Sequence, residues 1–505
     1  MSSKKITIVG SGSAGLMTAL ILKKTFSNYD ITIVSSSTIG IIGVGEGTTE
    51  HLRWFMEYCE IPLSDFITAS DATLKTGVRY IDWSVENPDF FKIISGRFDT
   101  KNTFLSNYVY AINNNIPLGN LHGDARTASN NLIWDFDKQT ILQVNQFHFD
   151  TFKVNTYLKG ICTDRKIKFL DEKIVDVEKD TLGFINNLVC LSGARIGGDL
   201  FIDSSGFGRV LSKHMDNQEF VSYSEYLPTD TAIGLLLPHE TYGGIRPYTT
   251  IRALNAGWSW AAPTQSRYGN GYVFSSKYIT ATEAADELSQ VLNTPIEPAI
   301  TIKFNSGYWK QSWQKNCIAI GLSSSFVEPL EATSITTTIQ QARLLCSYLP
   351  SYQKGATVQI NEYHRIIDMV LENILTMVSL HFMATGKDTP MWQNQQRAPK
   401  PPLLQRLLEL WNERPPERHD IPSTDFELFR HTHFFHMAAG LGLINKTNLS
   451  QYLEDYGVNE DMAKLATTHT VNSMQNKTLS HEGFLNDLAT SGNLVTQSYE
   501  EKLYV

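Results

Sequence analysis

The sequence predicts an α/β protein with a nucleotide-binding core, an inserted mixed β-sheet and a helical C-terminal region. A glycine-rich turn joins a strand to a helix near the N terminus, similar strand-and-turn segments recur downstream, and helical patterns dominate after residue 392. A chain of 505 residues exceeds the size at which one core stops growing. We therefore predict a core over residues 1–395 and a helical region over residues 396–505 that covers the functional site.

The first element is a strand over residues 6–9, followed by the turn GSGSAG and a helix. Gly10 permits a tight turn, Gly12 lets the backbone approach a pyrophosphate, and Gly15 permits close packing of helix on strand. An ordinary glycine-rich turn is the alternative, but the flanking strand and helix favour a Rossmann-type dinucleotide site. The predicted cofactor contacts in this turn are Gly10, Gly12, Ser13, Ala14 and Gly15.

The second strand, over residues 31–34, is not followed by an acidic residue. Such a residue usually holds the ribose hydroxyls ~20 positions after the glycines. This chain has Ser35, Ser36 and Ser37 instead, and a serine hydroxyl binds a ribose more weakly than a carboxylate does. We predict a cofactor contact at Ser35 and loose cofactor binding.

Two further glycine-containing turns favour FAD over NAD as the bound dinucleotide. GVGEGTT begins at residue 43 and precedes a predicted helix over residues 51–58, and CIAIGLSSSF begins at residue 317, after the strand and turn of LFIDSSGFG. Turns spread this widely suit the long FAD molecule better than a compact NAD unit. No second GxGxxG follows a predicted strand, so we expect the flavin to be reduced by another protein. The predicted contacts here are Gly43, Val44, Gly45, Glu46, Gly47, Ile320 and Gly321.

Composition argues against several other classes of protein. Lys plus Arg total 43 against 52 Asp plus Glu, which does not suit a nucleic-acid partner. The five cysteines form no CxxC pair, so neither a disulfide framework nor a zinc site is expected. No window approaches the ~20 apolar residues of a membrane span, and the apolar run after Lys5 is too short for a signal peptide. We predict a cytoplasmic protein without a membrane partner; a homo-oligomer stays open.

Several segments together resemble the flavin-dependent halogenases of the tryptophan-halogenase type, in collinear order over residues 4–392. The matching segments are GSGSAG, GVGEGT, ATLKTGVRYIDW, FHFD, DSSGF, GWSWAAP, IGLSSSFVEPLEATSI and HFMATGKDTPMW. GWSWAAP is similar to the family signature WxWxIP, with Trp258, Trp260 and Pro263 in place and Ala262 where isoleucine is usual. The resemblance places these three residues near the flavin and the tunnel.

The resemblance implies a two-component enzyme that receives FADH₂ from a separate NAD(P)H-dependent flavin reductase. In the family, reduced FAD and O₂ give a flavin hydroperoxide that oxidises a halide ion to hypohalous acid, and a tunnel leads this oxidant to a lysine beside the aromatic substrate. Lys75 stands at the matching position. Alternation around Lys75 is typical of a strand entering the interior, where desolvation disfavours the ammonium form. A solvated surface lysine is the alternative on local sequence alone.

The resemblance also assigns roles within FVEPLEATSI. Glu331 matches the family glutamate that lies near the lysine and polarises the oxidant or accepts the proton of the halogenated ring. Locally, Glu328 and Glu331 also suit the start of a helix with Pro329 in its first turn. The backbone amides of Thr333 and Ser334 match the family's halide site, where a helix N terminus attracts an anion.

Two departures from the family occur in this segment. Ala332 replaces a common serine, and Ser334 replaces a common glycine. The first removes a possible hydrogen-bond donor and the second changes the space and backbone freedom beside the halide. We therefore hypothesise a preference for bromide or iodide, which shed water more readily than chloride.

The resemblance fades after Trp392, at a proline-rich connector with a short helix over residues 403–411. FRHTHFFHM lacks the tryptophan that tryptophan-specific members often stack on their substrate, so we expect an indole, phenol or heteroarene rather than free tryptophan. His431, His433 and His436 lack an evident carboxylate set, and no metal is assigned. The alternatives are a flavin-dependent aromatic hydroxylase and a non-catalytic flavin-binding protein.

Overall fold

The protein is described from a computed structural model. It describes residues 4–41, 43, 46–93, 110–111, 114–121, 123–134, 146–384, 386–422, 424–445, 451, 454–455, 457, 461 and 478–491.

The described strands, in chain order, are as follows. They are β1 (Lys5–Val9), β2 (Asp30–Ser35), β3 (Glu46–Gly47), β4 (Thr73–Leu74), β5 (Gly77–Ile81), β6 (Asp89–Ile93), β7 (Leu132–Trp134), β8 (Phe147–Phe149), β9 (Lys168–Asp171), β10 (Ile174–Lys179), β11 (Ile185–Cys190), β12 (Arg195–Gly197), β13 (Leu200–Asp203), β14 (Phe220–Ser222), β15 (Thr231–Leu237), β16 (Tyr248–Leu254), β17 (Gly257–Pro263), β18 (Tyr268–Phe274), β19 (Ile300–Lys303), β20 (Gly307–Trp309), β21 (Trp313–Gln314), β22 (Cys317–Ala319), β23 (Ser325–Phe326) and β24 (Thr478–Ser480).

The described α-helices are numbered in the same way. They are α1 (Ser13–Thr25), α2 (His51–Tyr58), α3 (Leu63–Ala69), α4 (Leu118–Leu121), α5 (Gly123–Ser129), α6 (Thr151–Asp164), α7 (Ala281–Leu292), α8 (Thr333–Tyr348), α9 (Val358–His381), α10 (Pro390–Arg397), α11 (Pro402–Glu413), α12 (His431–Gly440) and α13 (His481–Ser491).

A six-stranded sheet forms the predicted Rossmann-type core. Its order is β21-β22-β13-β1-β2-β9, and β1 runs parallel to both of its neighbours. The β-branched residues of β1 and β2 suit a strand buried on both faces, and Ile8 and Ile33 are fully buried. Helices α1 and α8 pack together beside this sheet. The carboxyl ends of β1, β13 and β22 therefore meet at one edge, where an α/β fold binds its ligand.

A seven-stranded mixed sheet is the predicted insertion. Its order is β19-β15-β18-β17-β16-β5-β6; β16 runs parallel to β5, and the other neighbours are antiparallel. This sheet carries Trp258 and Trp260 on β17 and the hairpin β5–β6 at its edge. The expected α/β class with an inserted mixed sheet is thus confirmed.

The C-terminal helices share one hydrophobic core with the rest of the molecule. Leu407 of α11 and Phe434 of α12 belong to the same buried cluster as Ile6 of β1. Strand β24 pairs with β7, which places residues 478–480 beside residues 132–134. In the part of the chain that the structure describes, no helix is long and apolar enough to cross a membrane.

Candidate active site

The first glycine turn is built by close backbone contacts. Gly10 has φ +113°, and a Cβ there would lie 2.4 Å from the carbonyl oxygen of Ser204. A Cβ on Gly15 would lie 2.0 Å from the carbonyl oxygen of Gly10. Gly12 differs, since a Cβ there would meet nothing within 4 Å. The turn is therefore packed at Gly10 and Gly15 and open at Gly12, where the prediction places the cofactor.

The turn after β22 reaches the first turn directly. Gly321 has φ +67°, and a Cβ on it would lie 3.0 Å from the Cβ of Ala14. The Gly321 amide donates to Gln341 of α8, and the Ile320 amide donates to Asp203 of β13. Ser13 accepts a hydrogen bond from Asn155 at 3.1 Å. The predicted cofactor contacts of the turn at Gly10 and of the turn at Gly321 are therefore neighbours in space, although they are far apart in sequence.

The second glycine turn leads toward Lys75. A Cβ on Gly43 would lie 2.5 Å from the Cβ of Thr151, and the position of a Cβ on Gly47 lies 3.5 Å from Lys75 Nζ. Glu46 and Gly47 form β3, which pairs with β8. The predicted contacts Val44 and Gly45 lie outside the described residues.

These residues fit the nucleotide part of FAD. The open space at Gly12 faces the N terminus of α1, whose first turn holds no acidic side chain, so its amides suit a pyrophosphate. Ser35 ends β2 next to Asp171 of the neighbouring strand β9. The Asp171 carboxylate accepts the Ser37 amide at 2.8 Å. The neighbouring strand β9 therefore supplies a carboxylate near the position where the expected acidic residue is missing.

Lys75 lies in the interior, between two strands rather than within one. The predicted continuous strand is wrong, because β4 ends at Leu74 and β5 begins at Gly77. The backbone amide of Lys75 donates to Gln146, and its Nζ donates to the Thr48 carbonyl at 3.0 Å. Lys75 is 5 % exposed, and desolvation lowers its pKa to about 8, against the attraction of Glu331. The alternative of a solvated surface lysine is thereby excluded.

Glu331 lies before α8, not within its first turn as the local reading suggested. Its φ is +70°, and α8 begins at Thr333. Its carboxylate accepts hydrogen bonds from Tyr80 Oη at 2.8 Å and His381 Nε2 at 2.7 Å, and lies 2.6 Å from Lys92 Nζ. Burial alone would raise the pKa of Glu331, but the Lys92 ammonium and His381 hold it well below its usual range.

The ion-pair partner of Glu331 differs from the one expected. The resemblance placed this carboxylate beside Lys75, whereas within the described residues the structure pairs it with Lys92. Lys75 is still near the segment that carries Glu331, since a Cβ on Gly47 would lie 3.5 Å from Lys75 Nζ and 3.9 Å from the Cβ of Ala332. Desolvation lowers the pKa of Lys75, and Glu331 opposes that lowering. The carboxylate is nevertheless fixed by Lys92, Tyr80 and His381.

Sequence reasoning missed these three partners of Glu331. The register of β5 and β6 pairs Val78 with Lys92 and Tyr80 with Phe90, so Tyr80 and Lys92 project from the same face of the hairpin. Lys92 is 1 % exposed, and its ammonium lies 5.3 Å from the centre of the Phe429 ring. A lysine inside the apolar run DFFKI was the available signal, because a buried lysine requires a partner.

The predicted halide ligands Thr333 and Ser334 are the first two residues of α8. The first amides of an α-helix have no intrahelical partner and lie at the positive end of the helix dipole. Ala332, which precedes them, has φ +55° and provides no side-chain cap. The two residues thus lie at a helix N terminus as expected, and their role as halide ligands stays a prediction.

The two tryptophans and the proline of GWSWAAP connect this site to the mixed sheet. The indoles lie 6.0 Å apart on β17, and Trp258 Nε1 donates to Glu328 Oε1 at 2.7 Å. The Pro263 carbonyl accepts a hydrogen bond from Thr73 Oγ1 at 2.7 Å. The motif thus contacts both the segment before Glu331 and the strand before Lys75.

The histidines of α12 are possible metal ligands by residue type. His433 Nδ1 accepts the backbone amide of Arg430 at 3.1 Å. Within the described ranges, no group of three His, Cys, Asp or Glu residues could hold a metal ion. All five cysteines are free.

Comparisons with known proteins agree with this arrangement. Tryptophan 6-halogenase SttH from Streptomyces toxytricini is 30 % identical over 453 residues, covering 83 % of this chain and 85 % of the relative. Tryptophan 7-halogenase RebH from Lentzea aerocolonigenes is 28 % identical over 488 residues, covering 88 % and 91 %. The solved flavin-dependent halogenase Xcc4156 from Xanthomonas campestris superposes with a TM-score of 0.85 at 26 % identity, covering 97 % of this chain and 99 % of that chain.

The sequence model of the tryptophan halogenase family matches residues 5–454. The resemblance read from the motifs is therefore confirmed. The chain belongs to the tryptophan halogenase family, and is a flavin-dependent halogenase of the two-component type that uses FADH₂, a halide ion and O₂.

Proposed function

We propose that this enzyme halogenates a small electron-rich aromatic compound, such as an indole, phenol or heteroarene, and that Lys75 transfers the halogen. The observation that carries the proposal is the environment of Lys75. Its amine is buried, bonded to the neutral Thr48 carbonyl, and close to Gly47 of the second glycine turn. A pKa of about 8 leaves a substantial fraction of free amine near neutral pH.

The residues proposed to hold the cofactor are those of the two converging turns, together with Ser35 and the turn at Gly43. When bound, reduced FAD supplies the electrons with which O₂ becomes an oxidant for halide. The amides of Thr333 and Ser334 are proposed to hold the halide at the start of α8. Trp258, Trp260 and Pro263 are proposed to line the passage that confines the oxidant.

Lys75 acts on hypohalous acid in one of two balanced ways. Its ammonium donates a hydrogen bond to the oxygen and polarises the oxygen–halogen bond. Alternatively, its free amine attacks the halogen, forming a nitrogen–halogen bond with loss of water. In both cases the aromatic carbon takes the halogen and then loses a proton. Glu331, held ionised beside this position, is proposed to accept that proton.

The substrate is proposed to be smaller than, or different from, free tryptophan. The printed names of the relatives specify tryptophan 6- and 7-halogenation. In this chain, Phe429 lies under the Lys92 ammonium. The segment FRHTHFFHM, which begins at Phe429 in the proposed C-terminal region over residues 396–505, contains no tryptophan that could stack on a free tryptophan substrate, and this supports the proposal. The free cysteines suit a reducing cytoplasm.

The test is turnover with a separate NAD(P)H-dependent flavin reductase, FAD, O₂, bromide and a panel of aromatics that includes tryptophan. We expect a halogenated product from an indole, phenol or heteroarene. A hydroxylated product, unchanged substrates, or tryptophan as the best substrate would contradict the proposal. Lys75→Ala should lower halogenation by roughly 10²–10⁴-fold while flavin oxidation continues.

We further propose a preference for bromide or iodide over chloride. Its support is the Ala332 and Ser334 pair at the start of α8, since Ser334 adds a side chain beside the proposed halide amides. Competition among the three halides at equal concentration measures the preference directly. Chloride as the favoured halide would refute it.

A further inference from the structure

Two buried lysines lie near Glu331 and have different partners. Lys75 lies close to Ala332, the residue after Glu331, since a Cβ on Gly47 would lie 3.5 Å from Lys75 Nζ and 3.9 Å from the Cβ of Ala332. Lys92 Nζ lies 2.6 Å from Glu331 Oε2, and both side chains are nearly inaccessible. Lys75 Nζ donates to the Thr48 carbonyl, and within the described residues the structure pairs it with no carboxylate. One ammonium therefore has a counter-ion in contact, while the other amine has only a neutral acceptor.

Several neighbouring residues hold the Lys92 side chain in place. The hairpin register places it beside Tyr80, which bonds the other oxygen of Glu331. Beneath it, Phe429 is fixed by two hydrogen bonds of 2.9 Å between its backbone and the Asn373 side chain of α9. The ammonium is thus held between an aromatic face and a carboxylate, with little freedom to turn toward solvent.

We propose that Lys92 is a positioning residue of the halogenation reaction: its ammonium forms the ion pair with the Glu331 carboxylate, so the Lys75 amine is left without a counter-ion. The inference rests on the proposed role of Lys75 as the halogen-transferring residue. It assigns to Lys92 no contact with the oxidant.

The electrostatic reason follows from the contacts. A buried amine without a counter-ion has its charged form disfavoured by desolvation, and a second nearby ammonium disfavours it further. Lys92 supplies that repulsion and also compensates the charge of Glu331. If Lys92 were neutral, Lys75 would lose the repulsion and experience an uncompensated carboxylate. Both changes favour the ammonium form of Lys75 and reduce the supply of free amine.

Other titratable groups also face the two lysines. His148 and His481 lie near Lys75; the pKa of His148 is held well below its ordinary value and that of His481 is lowered to about 4, first by burial, so both are neutral above pH 6.5. Glu50 and His433 act on Lys92, and burial lowers the pKa of His433 to about 3. Above pH 6.5 the protonation of Lys75 is therefore set first by its burial, and the charged groups that act on it are Glu331 and Lys92.

The experiment measures the protonation of Lys75 in the flavin-free protein. Isocyanic acid, formed from cyanate, is small and neutral and adds to a free amine to give a urea. The extent of Lys75 carbamylation is followed by peptide mass spectrometry across pH 6–10, relative to the exposed Lys303. Lys92→Met should move the midpoint for Lys75 upward by about one pH unit or more, whereas Lys92→Arg should keep it.

A second variant covers the case in which Lys92→Met fails to fold. The double variant Lys92→Met with Glu331→Gln removes both charges, so its midpoint should lie below that of any folded Lys92→Met protein and near the wild-type value. An unchanged midpoint in Lys92→Met would overturn the inference, as would a double variant whose midpoint rises by a pH unit. The acid limb of halogenation against pH should move with the midpoint.

The two proposals fail separately in this design. If the wild-type protein halogenates its substrate but the Lys75 midpoint ignores Lys92, the positioning role is wrong and the function stands. If the midpoint moves as expected but no aromatic is halogenated, the electrostatic coupling stands and the proposed function is wrong. A purely structural role for Lys92 would lower stability in Lys92→Met without moving the midpoint.

Discussion

Glu328 and Glu331 lie three residues apart and are stabilised by opposite means. Glu331 is surrounded by Lys92, His381 and Tyr80, so its carboxylate stays ionised. The Glu328 carboxylate accepts hydrogen bonds from neutral donors. Burial consequently raises the pKa of Glu328 to about 7, despite the hydrogen bond from Trp258. Local sequence shows two similar glutamates, but their surroundings make one a fixed anion and the other a titrating group.

The raised pKa of Glu328 predicts how stability changes with pH. Its rise from the ordinary 4.5 to about 7 corresponds to about 3 kcal/mol, present below pH 4.5 and lost as pH rises through 7. Glu328→Gln cannot ionise, so this part of the loss should vanish. The melting temperature of the variant minus that of wild type should therefore become more positive as pH increases from 5 to 8. A constant difference across that range would contradict the prediction.

The sequence predicted Lys75 and Glu331 but not the residues that hold Glu331. Lys75 could be singled out because it stands at the matching position of a family motif, whereas its local sequence alone left a solvated surface lysine open. Tyr80 and His381 lie 251 and 50 residues from Glu331 in sequence, and no local pattern reports contacts across such separations. Lys92 gave a signal only through its apolar neighbours, which indicate burial without naming the partner.

At the scale of elements, the turn before α8 is the least regular part of the site. Glu331 and Ala332 both adopt left-handed backbone conformations, with φ of +70° and +55°, which is unusual for residues with a side chain. The conformation turns the Glu331 carboxylate toward the β5–β6 hairpin, and the helix α8 begins two residues later, at Thr333. We infer that the contacts of Glu331 with the hairpin hold the strained turn in place.

A glycine at position 332 should relieve part of this strain. Ala332→Gly removes a left-handed alanine and should stabilise the protein by about 1 kcal/mol. A higher melting temperature would be the observed result. Ala342→Gly, inside the same helix α8, is the matched control and should lower it, because helical glycine is unfavourable. Destabilisation by Ala332→Gly would show that the turn carries no strain.

Regular elements were predicted well and irregular ones were not. The helix α2 spans residues 51–58 as expected, β2 lies where its β-branched residues indicate, and β13 forms the strand predicted at LFID. The local sequence predicted the start of α8 too early, because Pro329 and the two glutamates are residues typical of a helix N terminus. The helix begins only at Thr333. The left-handed backbone angles of Glu331 and Ala332 place the turn outside the helix, and they accompany contacts of Glu331 with residues distant in sequence.

At the scale of the whole molecule, the C-terminal helix α13 contacts the strand that precedes Lys75. His481, the first residue of α13, is fully buried. Its Nε2 accepts the backbone amide of Leu74 at 3.2 Å, one residue before Lys75, and its Nδ1 donates to the Ile245 carbonyl at 3.2 Å. Pattern reasoning predicted C-terminal helices but not this contact, because a docking position depends on tertiary packing. The C-terminal segment therefore helps to define the backbone that carries Lys75.

Removing the His481 side chain should loosen that backbone. His481→Ala leaves the buried Leu74 amide without its acceptor, at a cost of about 1–3 kcal/mol. We expect a lower melting temperature and faster hydrogen exchange in the peptide containing Leu74. The kcat/KM for the aromatic substrate should fall as well. His481→Gln, whose amide can accept from Leu74 and donate to Ile245, is the matched control and should recover part of each loss.

The same histidine predicts a distinct acid response. Burial lowers its pKa to about 4, so its contribution to stability is present above pH 6.5 and is lost as pH falls through 4. His481→Gln cannot take up that proton, so its melting temperature should decline less than the wild-type value between pH 6.5 and pH 4. Equal declines, or unchanged exchange at Leu74 in His481→Ala, would show that the C-terminal segment does not hold the Lys75 backbone. The two titrating groups are separated by the direction of the pH effect. Relative to wild type, the melting temperature of Glu328→Gln should increase as pH rises above 5, whereas that of His481→Gln should increase as pH falls below 6.5.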